Sequence, residues 1–216
     1  MTFHKNKEYL DQHLTAEKVK EEVEKGLALL NTINHKIVTF FGSARSTPLD
    51  QEYQHCENVA YNLGKKGYAI ISGGGPGIMH AANSGAMRAK APSIGMRATL
   101  LTTEQIHDNI FTHDVQFNFL FVRRFLMSIK SEALIFYPGG YGTLNELFEY
   151  AVLMQTGIVD TVPMICVNRK YWQGLFNWLQ DSALEQKFID LKDLRLLSFV
   201  DSAEEMITEI EKGNHD

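Results

Sequence analysis

The chain has little cysteine: Cys56 and Cys166 are the only two among 216 residues, and they stand far apart. That leaves neither a C-x-x-C zinc or redox spacing nor a disulfide framework, and a reducing cytoplasm is the expected compartment. No apolar run approaches the about 18 residues of a membrane span, so none is expected. The opening stretch, MTFHKNKEYLDQHL, holds no apolar segment of the signal-peptide kind. Positive charge is not in excess. A formal net charge of −5 argues against a nucleic-acid footprint spread over the surface, so no nucleic-acid partner is expected. Internal repeats, linkers and low-complexity tracts are missing too. What remains is 44% hydrophobic and 22% charged, the balance of a soluble globular protein, with a length that suits one α/β domain.

Apolar runs alternate with helical patterns along the chain. Leu14, Val19, Val23, Leu27 and Leu30 recur at helical spacing and predict an amphipathic N-terminal helix, so residues 1–34 read as a helical extension. From residue 35 to 216 a single domain is expected. Strands are predicted in HKIVTFFGSAR, GYAIISGGGPG, APSIGMRA, EALIFYPGG, VPMICVN and LLSFV. Helices are predicted between them: Asp50 to Lys65, stopped by Gly64 and Gly67; GIMHAANSGAMRA; FVRRFLMSIKS, with Phe121, Phe125, Leu126 and Ile129 on one face; TLNELFEYAVLMQTG; YWQGLFNWLQDSALEQ; and SAEEMITEIEKG, a solvated amphipathic helix. Continuous apolar strands, each followed by a helix, imply a parallel sheet covered on both faces. Right-handed crossovers make it a doubly wound, Rossmann-like α/β fold.

Ligands in such folds bind at the carboxyl ends of the strands. Three strand ends carry small residues here: FFGSAR with Gly42 and Ser43, SGGGPG with Gly74 and Gly75, and YPGGYG with Gly139, Gly140 and Gly142. Glycines let the backbone approach a ligand, and amides at a following helix N-terminus favour a phosphate or carboxylate. Tight turns without a ligand are the plain alternative, and repetition at three junctions favours an anion cradle. The dinucleotide pattern G-x-G-x-x-G fails at Ile78 and at Asn145, and no G-x-x-x-x-G-K-[ST] occurs, which disfavours hydride-transfer and P-loop chemistry.

Behind the last turn, Thr143-Leu144-Asn145-Glu146 has the T-x-x-E pattern of a capping box. Two readings stay open: Glu146 as a helix-starting cap, or as a first-turn acid beside the positive helix end. Glu149 lies near the same face and competes for any role. Arg123 and Arg124 sit in an otherwise apolar helix, where an arginine needs a partner. Near a carboxylate and a phosphate cradle an arginine can orient the acid and bind the anion.

PGGYGTLNE (138–146) resembles the P-G-G-x-G-T-x-x-E signature of the LONELY GUY (LOG) family. These are cytokinin riboside 5′-monophosphate phosphoribohydrolases, long mislabelled as lysine decarboxylases. SGGGPGIMHAANSGA (72–86) is similar to the family's second glycine motif, FFGSAR to its first strand end, LTTEQ (101–105) to its P-x-E-Q segment and FVRR (121–124) to its Arg-Lys pair. The similarity runs in order from about His35 to about Asn168. It implies a homodimer that hydrolyses the N-glycosidic bond of a nucleoside 5′-monophosphate, AMP or a cytokinin riboside monophosphate, to free base and ribose 5-phosphate. It implies Arg123 and Glu146 as the catalytic pair, Glu104 as a substrate contact, and Gly139, Gly140, Tyr141, Gly142 and Thr143 as the phosphate holder. Gly42, Ser43, Gly74 and Gly75 complete the substrate site with Arg124, which stands where Lys is usual, and Asn145, which stands where Glu is frequent. His80 also stands where Glu is common.

Two other classes compete. Some relatives of the family are molybdenum-cofactor carriers, and a non-catalytic nucleotide or cofactor binder would not need the Arg123/Glu146 pair. A lysine decarboxylase would need pyridoxal phosphate on a lysine, and only Lys130 lies near the motif helix, with nothing around it resembling a cofactor site. No cofactor and no metal is expected. His55, His107 and His113 lack metal-ligand spacing and read as surface or capping residues. Tyr171, Trp172, Phe176 and Trp178 read as core or dimer interface.

Overall fold

A computed structural model describes residues 12–99, 106 and 108–213. Seven parallel strands form one sheet in the order β4-β3-β2-β1-β5-β6-β7. The strands are β1 (Ile37–Phe41), β2 (Ala69–Ser72), β3 (Ser93–Ala98), β4 (His113–Phe117), β5 (Ser131–Phe136), β6 (Met164–Val167) and β7 (Leu197–Val200). Every residue of β1, β2 and β6 is buried, which is why these segments read as unbroken apolar runs.

Helices cover both faces, and successive β1 residues feed opposite cores. Ile37 and Phe41 join Leu30 and Ile33 from the end of α1 (Gln12–Thr32) and just beyond it, Val122 and Leu126 from α4 (Leu120–Ser128), Leu147 and Tyr150 from α5 (Tyr141–Gln155), and Trp172 from α6 (Arg169–Trp178). Val38 and Phe40 join Cys56 and Leu63 from α2 (Gln51–Lys65), Ala82 and Ala86 from α3 (Ile78–Ala89), and Met206 and Ile210 from α8 (Ala203–Gly213). The doubly wound, Rossmann-like reading holds.

Several sequence expectations need correction. Phe121 and Phe125 are 53% and 45% exposed, and α4 instead buries Val122, Arg123, Leu126 and Met127. Gly64 lies inside α2, and the chain turns only at Gly67, whose φ is +90°. Strand β4, HDVQF, went unread because it is a half-exposed edge strand in which only Phe117 is buried. The long helix after β6 changes to a π-helical turn over Leu179–Leu184, and the four-residue α7 (Leu191–Leu194) follows.

Strand β1 pairs with both β2 and β5. The chain winds outward from it in both directions, so a crevice opens where the order reverses, at the carboxyl ends of β1 and β5.

Candidate active site

The three glycine turns are tied to one another through Ser43. Its amide donates to Pro138 O at 3.0 Å, and its own carbonyl accepts from Ile78 N at 3.0 Å. Gly77, at φ +69°, makes the second contact possible, because a side chain there would overlap the Ser43 carbonyl. Beside this junction lies a cleft of about 610 Å³. Gly42, Ser43, Arg123, Arg124, Gly140, Tyr141, Gly142, Thr143, Asn145 and Glu146 all line it.

Helix α5 begins one turn earlier than its sequence pattern suggests. Gly140 is the N-cap, extended at φ −92° and ψ −151°, and its carbonyl accepts from Leu144 N at 3.0 Å. Thr143 is therefore the third helical residue. It is buried, with its hydroxyl occupying the space a side chain at Gly139 would need. The capping-box reading of Thr143 and Glu146 fails: the glycines enter the helix themselves, and no side-chain cap is made. The amides of Tyr141, Gly142 and Thr143 lie in the first turn, where no intrahelical carbonyl can accept them. Glu146 falls in the second turn, past the reach of the first-turn dipole effect. It is half-buried on the cleft wall.

The two arginines divide. Arg123 is 5% exposed and lines the cleft, with its guanidinium packed on Gly73, where any side chain would collide with it. Arg124 donates from Nε to Glu149 Oε2, and its backbone carbonyl accepts from the Tyr150 hydroxyl at 2.8 Å. Burial, reinforced by Glu146 and Glu149, holds the Tyr150 hydroxyl well above its ordinary pKa and so keeps it a donor. Glu149, the rival acid, thus pairs with Arg124, while Glu146 faces the cleft.

A family profile described as "Possible lysine decarboxylase" matches residues 79–210. A probable cytokinin riboside 5′-monophosphate phosphoribohydrolase, LOGL6 of Oryza sativa subsp. japonica, is 26% identical over 204 residues, covering 92% of this chain and 79% of its own. The chain belongs to the LOG family. The Arabidopsis thaliana cytokinin riboside 5′-monophosphate phosphoribohydrolase LOG1 is 34% identical over 89 residues, 41% of each chain. Among solved structures, the molybdenum cofactor carrier protein of Chlamydomonas reinhardtii superposes with a TM-score of 0.62 at 14% identity, covering 85% of this chain and all of its own. At that identity the likeness is one of fold.

Other residues of this LOG-family chain singled out from sequence lie elsewhere. Gly74 and Gly75 are buried away from the cleft wall, Gly74 packing on Gly95 and Arg97 at φ +66°. Gly139 also lies off the wall, and its carbonyl accepts from the Tyr171 hydroxyl at 2.5 Å. Glu104 and His107 fall outside the described residues. Lys130 donates to Leu30 O and Asn31 Oδ1 at the end of α1. His80 bridges Tyr53 at 2.6 Å and Asp108 at 3.0 Å. Burial pushes the Cys166 thiol up to about 12 and raises Cys56 as well, so neither is a ready nucleophile. Among the described residues, no group of three or more His, Cys, Asp or Glu is placed to hold a metal ion.

Sequence reasoning missed Gly73 and Arg45, which also line the cleft. Both were inside quoted motifs. Gly73 was the first glycine of the SGGGPG turn, and Arg45 was the only charged residue of FFGSAR.

Proposed function

We propose that this chain hydrolyses the N-glycosidic bond of nucleoside 5′-monophosphates, AMP or cytokinin riboside monophosphates, giving free base and ribose 5-phosphate. One observation carries the reading: Arg123 and Glu146 face a single cleft whose rim is the amide-rich start of α5. The first-turn amides receive the 5′-phosphate, and its binding energy positions the sugar. As the bond to the base lengthens, positive charge builds on the ribose ring, as in glycoside hydrolysis. Glu146 stabilises that charge and takes a proton from water. The water oxygen adds to C1′, the bonding pair leaves with the base, and the base takes up a proton. Arg123 holds the anionic substrate or the Glu146 side chain. Gly42, Ser43, Arg124 and Asn145 complete the substrate wall, and Glu104 remains part of this assignment.

Exposed Phe121 and Phe125 on α4 and Phe148 and Val152 on α5 support a homodimer through these helices. Two buried, unpaired thiols fit a cytoplasmic setting. No helix among the described residues is long and apolar enough to cross a membrane.

A carrier reading, in which a fold shared with a molybdenum cofactor carrier is used for binding alone, assigns the same cleft to binding without turnover. Incubating the protein with AMP and with isopentenyladenosine monophosphate, and following free base by chromatography, decides between them. Base release that disappears in Glu146→Gln supports hydrolysis. Tight nucleotide binding with no release supports the carrier.

A further inference from the structure

We infer that Tyr171 is a positioning residue for the phosphate, acting through the Gly139–Gly140 peptide. The inference rests on the proposed reading of the α5 start as a phosphate holder. Tyr171 comes from a different strand–helix unit, the beginning of α6, and reaches back to the turn after β5. Its hydroxyl donates to Gly139 O at 2.5 Å. No cis peptide occurs among the described residues, so the 139–140 peptide is trans and its N–H points opposite to its carbonyl. The carbonyl is directed at Tyr171, which stands off the cleft wall, while Gly140 lines the cleft. The Gly140 amide is thereby turned inward, next to the first-turn amides of α5. A peptide flanked by two glycines has little steric reason to keep one orientation, and the tyrosine supplies that reason. Accepting a hydrogen bond at the carbonyl also polarises the amide at the other end of the peptide.

Tyr171 is itself fixed from below. Asn168, at φ +74°, caps α6 by accepting from Tyr171 N at 3.1 Å, and its own amide donates to Val200 O at 3.0 Å. The tyrosine ring meets the buried Trp172 edge-on, with centroids 5.0 Å apart and planes at 87°. Trp172 in turn donates to Val167 O at 3.0 Å. The hydroxyl therefore has a rigid origin, although the ring is 46% exposed.

Tyr171→Phe removes the hydroxyl and keeps the ring packing. Calorimetry would compare wild type and variant for ribose 5-phosphate, AMP and adenosine, with the thermal midpoint as a check on folding. The expected result is a roughly three- to ten-fold weaker affinity for the two phosphate esters. Adenosine affinity should stay as in wild type. Unchanged binding of the phosphate esters, or an equal loss for adenosine, overturns the inference and leaves the proposed reaction standing. Wild-type protein that binds neither phosphate ester sinks the proposed function and this inference together.

Discussion

Adding one methyl group at Gly73 tests whether Arg123 must lie where it does. Gly73 is buried at the end of β2, and its φ lies outside the left-handed region, so alanine fits the backbone. The new Cβ would overlap Arg123 Nη2 and come within 2.7 Å of Met79 Sδ. Both obstacles are ends of flexible side chains, so the backbone can stay and the guanidinium must move. Ordinary contact between heavy atoms needs roughly 3.5–4.0 Å, which requires a shift of more than about 1 Å. Overpacking of this kind costs about 1–3 kcal/mol, and Gly→Ala offsets about 0.4–1 kcal/mol through the unfolded chain. Stability should fall by no more than about 2.6 kcal/mol on that balance. A catalytic group misplaced by about 1 Å lowers the rate on the order of a hundredfold. That is about 2.7 kcal/mol of lost transition-state stabilisation. Gly73→Ala should therefore stay folded in urea titrations while kcat/KM for base release drops about a hundredfold. The double variant Gly73→Ala/Arg123→Ala should be no slower than Arg123→Ala alone, since both changes remove the same group. A Gly73→Ala protein with wild-type turnover, or a double variant slower by the full product of the two single effects, would refute the reasoning.

Two further outcomes follow from the same geometry. Gly77→Ala puts a side chain at φ +69° against the Ser43 carbonyl and Ala44 backbone, neither of which can swing aside. It should cost about 1–3 kcal/mol of backbone strain with the collision against backbone added, a larger loss in urea unfolding than that of Gly73→Ala, and equal midpoints for the two variants would contradict the distinction. Burial lowers the pKa of His55 below its ordinary value, against the opposing pull of Glu204 and Glu52. Near and below the ordinary value the unfolded chain binds the proton more readily, so this contribution is present at neutral pH and shrinks as pH falls through about 6.5. The thermal midpoint of His55→Phe should drop less between pH 7 and pH 5 than that of wild type, and parallel curves would remove His55 as the cause.

Much of the fold was legible because β1, β2, β5 and β6 are central strands buried on both faces, and burial on both faces leaves a continuous apolar signature. Strand β4 left none, since an edge strand with alternating exposure looks like the polar loop beside it. The α4 face was misread for a related reason. Periodicity located an apolar stripe through Phe121 and Phe125, but nothing in one chain's sequence says whether such a stripe meets its own core or stays exposed. The helix turns Arg123 inward, and the sequence, which marked both arginines as needing a partner, did not say which of the two is buried.

The start of α5 shows how a correct motif can carry an incorrect local geometry. T-x-x-E is a capping box only when the threonine stands outside the helix, and here two glycines and a tyrosine have already carried the chain across that boundary. Starting the helix at Tyr141 brings two consequences that the capping box would have prevented. The first-turn amides belong to residues that line the cleft, and Glu146 falls in the second turn, on the same cleft wall as Arg123. Arg124 and Glu149 then satisfy each other one turn further along, which removes the competing acid and binds α4 to α5. The Arg124–Glu149 pair and the Tyr150 hydroxyl bond, contacts between residues 25 and 26 apart in sequence, hold together the two helices that carry Arg123 and Glu146. Sequence motifs pointed to many of the residues that line the cleft. Their assignment to cleft, brace or core came from which element each one packs against.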